Sequence, residues 1–205
     1  MPIKLAVMLS GNGTTLQNII DRCAAGDLDA TIVCVIASRA NAYGLERARA
    51  ANIPAIAIPR KEFGSSEAFG NAVYEALDQH APDLIVLAGL MSLLPVREDF
   101  QGRIMNVHPA LIPAFSGQGM YGSKVHQAVL DYGVKLTGVT VHFVNEEYDR
   151  GPVIAQNSVP VLEGDTVETL AERVQAEERE LYPKAIQLFA QGRLKLEGGH
   201  VHILP

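Results

Sequence analysis

An amide, an imidazole and a carboxylate are the side chains of this sequence best suited to acyl chemistry. Asn106 and His108 fall in the run Asn106-Val107-His108-Pro109-Ala110-Leu111-Ile112-Pro113, and Asp149 in Asp149-Arg150-Gly151-Pro152. Residues two apart on a strand project to the same side, so a strand ending at this run presents Asn106 and His108 together. Pro109 and Pro113 stiffen the exit and keep a helix from starting at once. A carboxamide donating one hydrogen bond beside an imidazolium donating another makes an oxyanion-stabilising pair. Asp149, in a later turn, is placed to face His108, raise its pKa and relay protons through water. The plain alternatives are a structural histidine and an aspartate that serves only its turn. His142, alternating with Thr140 and Val144, reads as a satisfied core or wall histidine.

A second candidate region offers backbone rather than side chains. Ser10-Gly11-Asn12-Gly13-Thr14-Thr15 lies between an apolar run and a helical pattern. Glycines let the chain approach an anion, and the free amides of a helix start point toward it. Leu16 replaces the third glycine of a dinucleotide fingerprint, and no Gly-Lys-Ser/Thr makes a P-loop. A single phosphate monoester suits the loop best; a tight turn with a Thr N-cap is the alternative.

Alternating strands and helices must position these groups. Ile3 to Leu9, Thr31 to Ala37, Ala55 to Ile58, Leu84 to Ala88 and Arg103 to Val107 read as strands. Leu16 to Ala25, Leu45 to Ala51 and Glu67 to His80 carry helical spacing. Short connections imply parallel βαβ units in a doubly wound sheet. Val134 to Asn145 and Pro152 to Val161 then read as an antiparallel pair, so the sheet is mixed. A long helix follows from about Thr166 to Gln191, with Asp165 and Glu168 as a capping-box-like start and a kink expected at Pro183. His200 to His202 reads as a terminal strand. The expected fold is α/β: a single Rossmann-like three-layer sandwich, mostly parallel, with an antiparallel edge and a long C-terminal helix. The expected organisation is one domain, 1–205, with a phosphate- and ribonucleotide-binding half, 1–100, and a catalytic and folate-binding half, 101–205.

Composition narrows the function. The 205 residues are 48% hydrophobic and 20% charged, which is a globular balance, and the net charge of −6 disfavours a general nucleic-acid or membrane binder. Cys23 and Cys34 form no CxxC, as expected of reduced thiols in a cytoplasmic protein. The N-terminus opens into a strand rather than a signal peptide, and no apolar run has transmembrane length. His108, His126, His142, His200 and His202 include no HxxxH pair, so no metal site is expected.

Ser10-Gly11-Asn12-Gly13, Leu87-Ala88-Gly89-Leu90-Met91, Asn106-Val107-His108-Pro109 and Asp149-Arg150-Gly151-Pro152 occur in this order and over these separations. In them the chain resembles the phosphoribosylglycinamide formyltransferases of the 10-formyltetrahydrofolate formyltransferase superfamily, over essentially its whole length. The resemblance implies formyl transfer from 10-formyltetrahydrofolate, a co-substrate, to the amine of glycinamide ribonucleotide in purine synthesis, without metal. It implies that His108 is the acid, that Asn106 holds the oxyanion, and that Asp149 orients His108 and shuttles a proton. Gly11, Asn12, Gly13, Thr14, Thr15, Pro109, Gln175 and Glu178 would hold the ribonucleotide. Leu90, Met91, Ser92, Leu93, Leu94, Val144 and Asn145, with Asn106 and Asp149, would enclose the folate. Thr15, Ser66 and Ser92 depart from residues common in the family, Asn, Arg and Arg respectively. Residues 116–122 are expected to form a substrate-covering loop or, equally, a packed surface loop. Small-molecule substrates, a cytoplasmic location and a monomer or homodimer complete the expectation, with no nucleic-acid or membrane partner. The rivals are a 10-formyltetrahydrofolate hydrolase, whose extra N-terminal domain is expected to be absent here, and a folate- or nucleotide-binding module without turnover. A tRNA-directed formyltransferase would need a basic C-terminal domain, also expected to be absent.

Overall fold

The apolar run Ile3–Leu9 forms strand β1, buried from Leu5 to Leu9, as suits a strand covered on both faces. Helix α1 (Thr14–Ala25), β2 (Ala30–Ala37), α2 (Gly44–Ala50), β3 (Ala55–Ala57), α3 (Ser66–Asp78) and β4 (Leu84–Leu87) alternate after it in the computed structural model, which describes residues 1–205. β1 pairs in parallel with β2 on one side and β4 on the other, and β2 pairs in parallel with β3. The connections therefore run outward from β1 in opposite directions. The carboxyl ends of β1 and β4 flank a topological switch point, where open α/β sheets bind ligands. The glycine loop leaves β1 there, and Gly89 to Leu94 leaves β4.

The chain divides into two compact units, Met1–Met105 and Asn106–Pro205. The first has its core in Leu5, Val7, Met8, Leu16, Ile19, Val35, Leu45, Phe69, Val73 and Leu77. Full burial of each large apolar side chain contributes about 1.5–3 kcal/mol. β5 (Ile104–His108) spans the division. The second unit continues with α4 (Ser123–Tyr132), β6 (Leu136–Phe143), β7 (Val153–Pro160) and α5 (Val167–Ala190), and ends in a hairpin of β8 (Leu194–Glu197) and β9 (His200–Ile203). β6 and β7 are antiparallel, from Leu136 opposite Pro160 to His142 opposite Val153. α5 packs on β6, β7 and α4, and its Leu170, Val174, Tyr182 and Ile186 are buried. The seven-stranded sheet has the order β3-β2-β1-β4-β5-β6-β7, mostly parallel with the antiparallel pair at one edge, as expected.

Several local expectations are corrected. Helix α1 starts at Thr14, two residues early, because Gly13 in the left-handed region (φ 70) is its N-cap and no side chain caps it. The box at the start of α5 is Thr166 with Thr169, not Asp165 with Glu168. Asp165 instead accepts the Leu162 N–H at 2.7 Å and pairs with Arg173 at 2.8 Å. Pro183 lies inside α5, which continues to Ala190, so it does not end the helix. α4 and β8 had no counterpart in the sequence reading. No helix is long and apolar enough to cross a membrane.

Candidate active site

β5 ends on His108, and its alternation brings Asn106 and His108 to one face. The exit is stapled by Thr140 of β6. Its hydroxyl donates to the Ala110 carbonyl at 2.7 Å and accepts from the Ile112 N–H at 3.1 Å and from Gln156 at 2.9 Å. Asp149 follows β6 in a turn and adopts a left-handed backbone (φ 55), which Asp tolerates better than most residues. The turn closes tightly: a Cβ on Gly151 would lie 1.8 Å from the Phe143 carbonyl oxygen, so only glycine fits.

These elements gather four polar side chains. His108 is 3% exposed and Asp149 11%, with Nδ1 of His108 3.4 Å from Oδ2 of Asp149. Nε2 of His108 lies 2.8 Å from the Phe115 carbonyl oxygen. A carbonyl only accepts, so Nε2 carries the hydrogen. A neutral His108 then turns a bare Nδ1 toward a carboxylate, whereas the imidazolium donates to both neighbours. Burial opposes that charge. It pushes the His108 imidazole below its usual pKa, Asp149 and the Phe115 carbonyl pull it up, and His142 adds to the depression. The expected lift from Asp149 exists, but desolvation outweighs it and the net direction is down.

Asp149 is held ionised. Burial pushes its carboxyl up, but the His142 and His108 side chains and the Gly117 N–H together bring it below the usual range. The Gly117 amide donates to Oδ2 at 2.9 Å. The Asn106 amide nitrogen is 3.3 Å from Oδ1 of Asp149 and 3.2 Å from Nε2 of His142. The carboxylate fixes the amide's orientation, since the flipped form would set oxygen against oxygen. Both Asn106 N–H groups are thus engaged, and an oxyanion would have to recruit one of them from these partners. His142 directs Nδ1 to the Phe143 carbonyl at 2.8 Å, and its Nε2 faces both the Asn106 amide, at 3.2 Å, and Oδ1 of Asp149, at 3.8 Å. The arrangement can donate a proton from a buried imidazole, accept one through a carboxylate, and present an amide to developing negative charge.

His142 is the residue whose part was missed. Alternation along β6 placed it with Thr140, but only long-range pairing brings it to Asn106 and Asp149. The Phe115 carbonyl and Gly117 amide were also missed, because backbone groups in an irregular segment leave no side-chain signal. His126, in α4, is buried with Nδ1 unpartnered; burial and the charge of His108 depress its pKa.

The glycine loop belongs to the first unit. Gly11, Asn12 and Thr14 are exposed, Gly13 is buried and Thr15 half-buried. Gly13 is required twice, by its φ of 70 and because a Cβ would sit 2.8 Å from Gly44 Cα. The loop is clamped to the segment after β4. Ser10 N–H donates to the Gly89 carbonyl at 3.1 Å, and Met91 N–H donates to the Ser10 hydroxyl at 2.8 Å. That hydroxyl also bonds the Ser38 hydroxyl at 2.7 Å, both being buried. Along 90–94, Leu94 is buried, Leu90, Ser92 and Leu93 are half-buried and Met91 is exposed, its sulfur 3.4 Å from the Arg39 guanidinium. Ser66 opens α3, its hydroxyl 3.5 Å from Arg60. In the second unit, Pro109, Val144 and Asn145 are half-buried, and α5 carries exposed Gln175 and half-buried Glu178.

A model of the formyl transferase family matches residues 3–186. The chain is 42% identical, over 95% of its length, to the phosphoribosylglycinamide formyltransferase of Haemophilus influenzae, of which it covers 90%. It is also 42% identical, over 97% of its length, to the trifunctional purine biosynthetic protein adenosine-3 of Bos taurus, but spans only 19% of that protein. Among solved structures, glycinamide ribonucleotide transformylase 1 from Symbiobacterium toebii matches with a TM-score of 0.90 and 46% identity, over 99% of this chain and 94% of that one. A formyltetrahydrofolate deformylase from Pseudomonas syringae matches with a TM-score of 0.87 and 25% identity, over 100% of this chain and 67% of that one.

Proposed function

This chain belongs to the formyl transferase family, and we propose that it transfers the formyl group of 10-formyltetrahydrofolate to the amine of glycinamide ribonucleotide, a step of de novo purine biosynthesis. The observation that carries the reading is the cluster of half-buried Asn106 and Asp149 around buried His108, with its ionised carboxylate beside an imidazole. The amine nitrogen attacks the formyl carbon, and the carbonyl becomes an oxyanion. Asn106 donates to that oxygen, with one of its N–H groups released from His142 or Asp149. His108, as the imidazolium, supplies a proton from Nε2, which turns from the Phe115 carbonyl to the substrate. The bond from the formyl carbon to N10 of tetrahydrofolate then breaks, N10 takes the proton that His108 supplied, and the amine's surplus proton returns through Asp149 and water to His108. Such acid–base help contributes about 10²–10⁴-fold.

The ribonucleotide phosphate is assigned to Gly11 to Thr15, its remaining contacts to Pro109, Gln175 and Glu178. The folate is assigned to Leu90 to Leu94, Val144 and Asn145, where apolar walls and backbone polar groups suit a flat heterocycle. Ser66 and Ser92 lack the charge to grip an anionic folate tail. We take the chain to work as one formyltransferase domain, as a monomer or homodimer in the cytoplasm, on small molecules, without metal, nucleic acid or membrane. The net charge of −6 supports this choice of partners.

Folate deformylation by purified protein, without added metal, tests the reading. It is expected to depend on glycinamide ribonucleotide and to yield one formylated ribonucleotide per folate released. Equal rates with and without ribonucleotide would make the protein a hydrolase.

A further inference from the structure

We propose that Arg47 is a positioning residue for the phosphate loop. Together with the Gly44 amide it draws two loop carbonyls to one side and thereby aims the Asn12 and Gly13 N–H groups to the other. The inference rests on reading residues 11–15 as the phosphate site.

Both restraints come from α2. The Gly44 N–H donates to the Gly11 carbonyl at 3.1 Å, and Arg47 Nε donates to the Asn12 carbonyl at 2.8 Å. The peptide bonds here are trans, since Ile112–Pro113 is the cis bond of the chain. In a trans peptide the C=O and N–H point in opposite directions. The Gly11 carbonyl shares its plane with the Asn12 N–H, and the Asn12 carbonyl with the Gly13 N–H. Fixing both carbonyls on α2 therefore aims both N–H groups away from it. Gly13, at φ 70, continues the turn into α1, whose first turn has neither a side-chain cap nor an acidic residue. Consecutive amides so arranged form a concavity for an anion.

Arg47 is itself held for the task. Nη1 donates to Gln17 Oε1 at 3.1 Å, and the guanidinium lies over the Tyr43 ring, 5.1 Å from its centroid. Its stem runs along the loop: Cδ lies 3.5 Å from where a Gly13 Cβ would stand. The planar fork can bond Asn12 and Gln17 at once, which a lysine ammonium on a flexible stem does poorly.

Steady-state kinetics of Arg47→Met, which keeps the apolar stem and deletes charge and donors, tests this. The KM for glycinamide ribonucleotide is expected to rise about tenfold, the size of one charge-assisted hydrogen bond, with kcat and the folate KM changed less than about twofold. Arg47→Lys is expected to recover only a minor part of the loss; full recovery would assign the effect to charge alone and overturn the tie-down. A lowered Tm with equal losses in both KM values would mark a merely structural residue and also overturn it. The amide resonances of Asn12 and Gly13 supply an independent readout. In the unaltered protein they are expected to shift on titration with ribose 5-phosphate, and in Arg47→Met to need about tenfold more ligand. If they respond in the unaltered protein but the Arg47→Met KM stays within about twofold, the inference falls alone. If they do not respond at all, the phosphate reading of the loop falls and takes the inference with it.

Discussion

The glycine loop and the Asn106–His108–Asp149 cluster solve opposite problems. The loop is exposed backbone, and its chemistry is the direction of N–H groups, which do not titrate. The cluster is side chain, with His108 buried and Asn106 and Asp149 half-buried, and its chemistry is where a proton sits, which burial and neighbouring charges decide. A backbone site depends on conformation and fails when a glycine is replaced. A side-chain site depends on electrostatics and fails when a partner is removed.

His108→Ala should have the largest effect, lowering kcat about 10³-fold while leaving the ribonucleotide's affinity within about twofold. A collapse of affinity with high residual turnover would make His108 a binding residue and erase the contrast. Asp149→Asn comes next, with kcat expected to fall about 10²-fold. Asp149 pulls the His108 pKa up, so its loss lowers that pKa further. If protonated His108 is the acid, activity fades as pH rises through its pKa, and in Asp149→Asn the fading should begin at lower pH. A profile of kcat/KM against pH checks the sign.

Gly13→Ala should act on the other region, raising the ribonucleotide KM by about ten- to a hundredfold through backbone strain, with the pH profile of kcat unmoved. Thermal unfolding against pH separates the regions again. The depressed His108 pKa means the unfolded chain takes up that proton first, so stability falls as pH drops below about 6.5. Asp149, also depressed, stabilises above the unfolded carboxyl value and loses its contribution as pH falls toward its folded one. Calorimetry should show acid destabilisation that shrinks in His108→Ala and persists in Gly13→Ala. Ser38→Ala, which removes only the partner of the Ser10 hydroxyl, should have the smallest effect, a two- to threefold rise in folate KM, on the order of one neutral hydrogen bond.

The sequence made the strand-end residues legible because a period of two fixes which side chains share a face. That much placed Asn106 and His108 on one face; the role expected of them came from the resemblance. Gly11 and Gly13 were legible as a loop, but the carbonyl restraints from Gly44 and Arg47 are contacts across more than thirty residues, invisible to local pattern. His142 was read rightly as a satisfied core histidine, but its contacts with Asn106 and Asp149 were invisible for the same reason. α4 was missed because its buried stripe, Val125, His126 and Val129, is short and bounded by Gly122 and Gly133. The β8–β9 hairpin did have a signal: Gly198 and Gly199, both at positive φ, are the pair a two-residue turn demands. Depth of burial was not legible at all, and it decides the direction in which His108 is tuned.

Ser10 touches the segment after β4 twice, through its N–H to Gly89 and its hydroxyl from Met91. One such bond would be a pivot; two at adjacent points remove rotation as well as translation. The Met91 amide, although it sits in irregular chain beneath an exposed side chain, is therefore expected to exchange its hydrogen with solvent on the slow clock of the neighbouring strands. Opening it requires β1 and β4 to part at their carboxyl ends, so the rate measured at this one amide would report how often both loops come loose together.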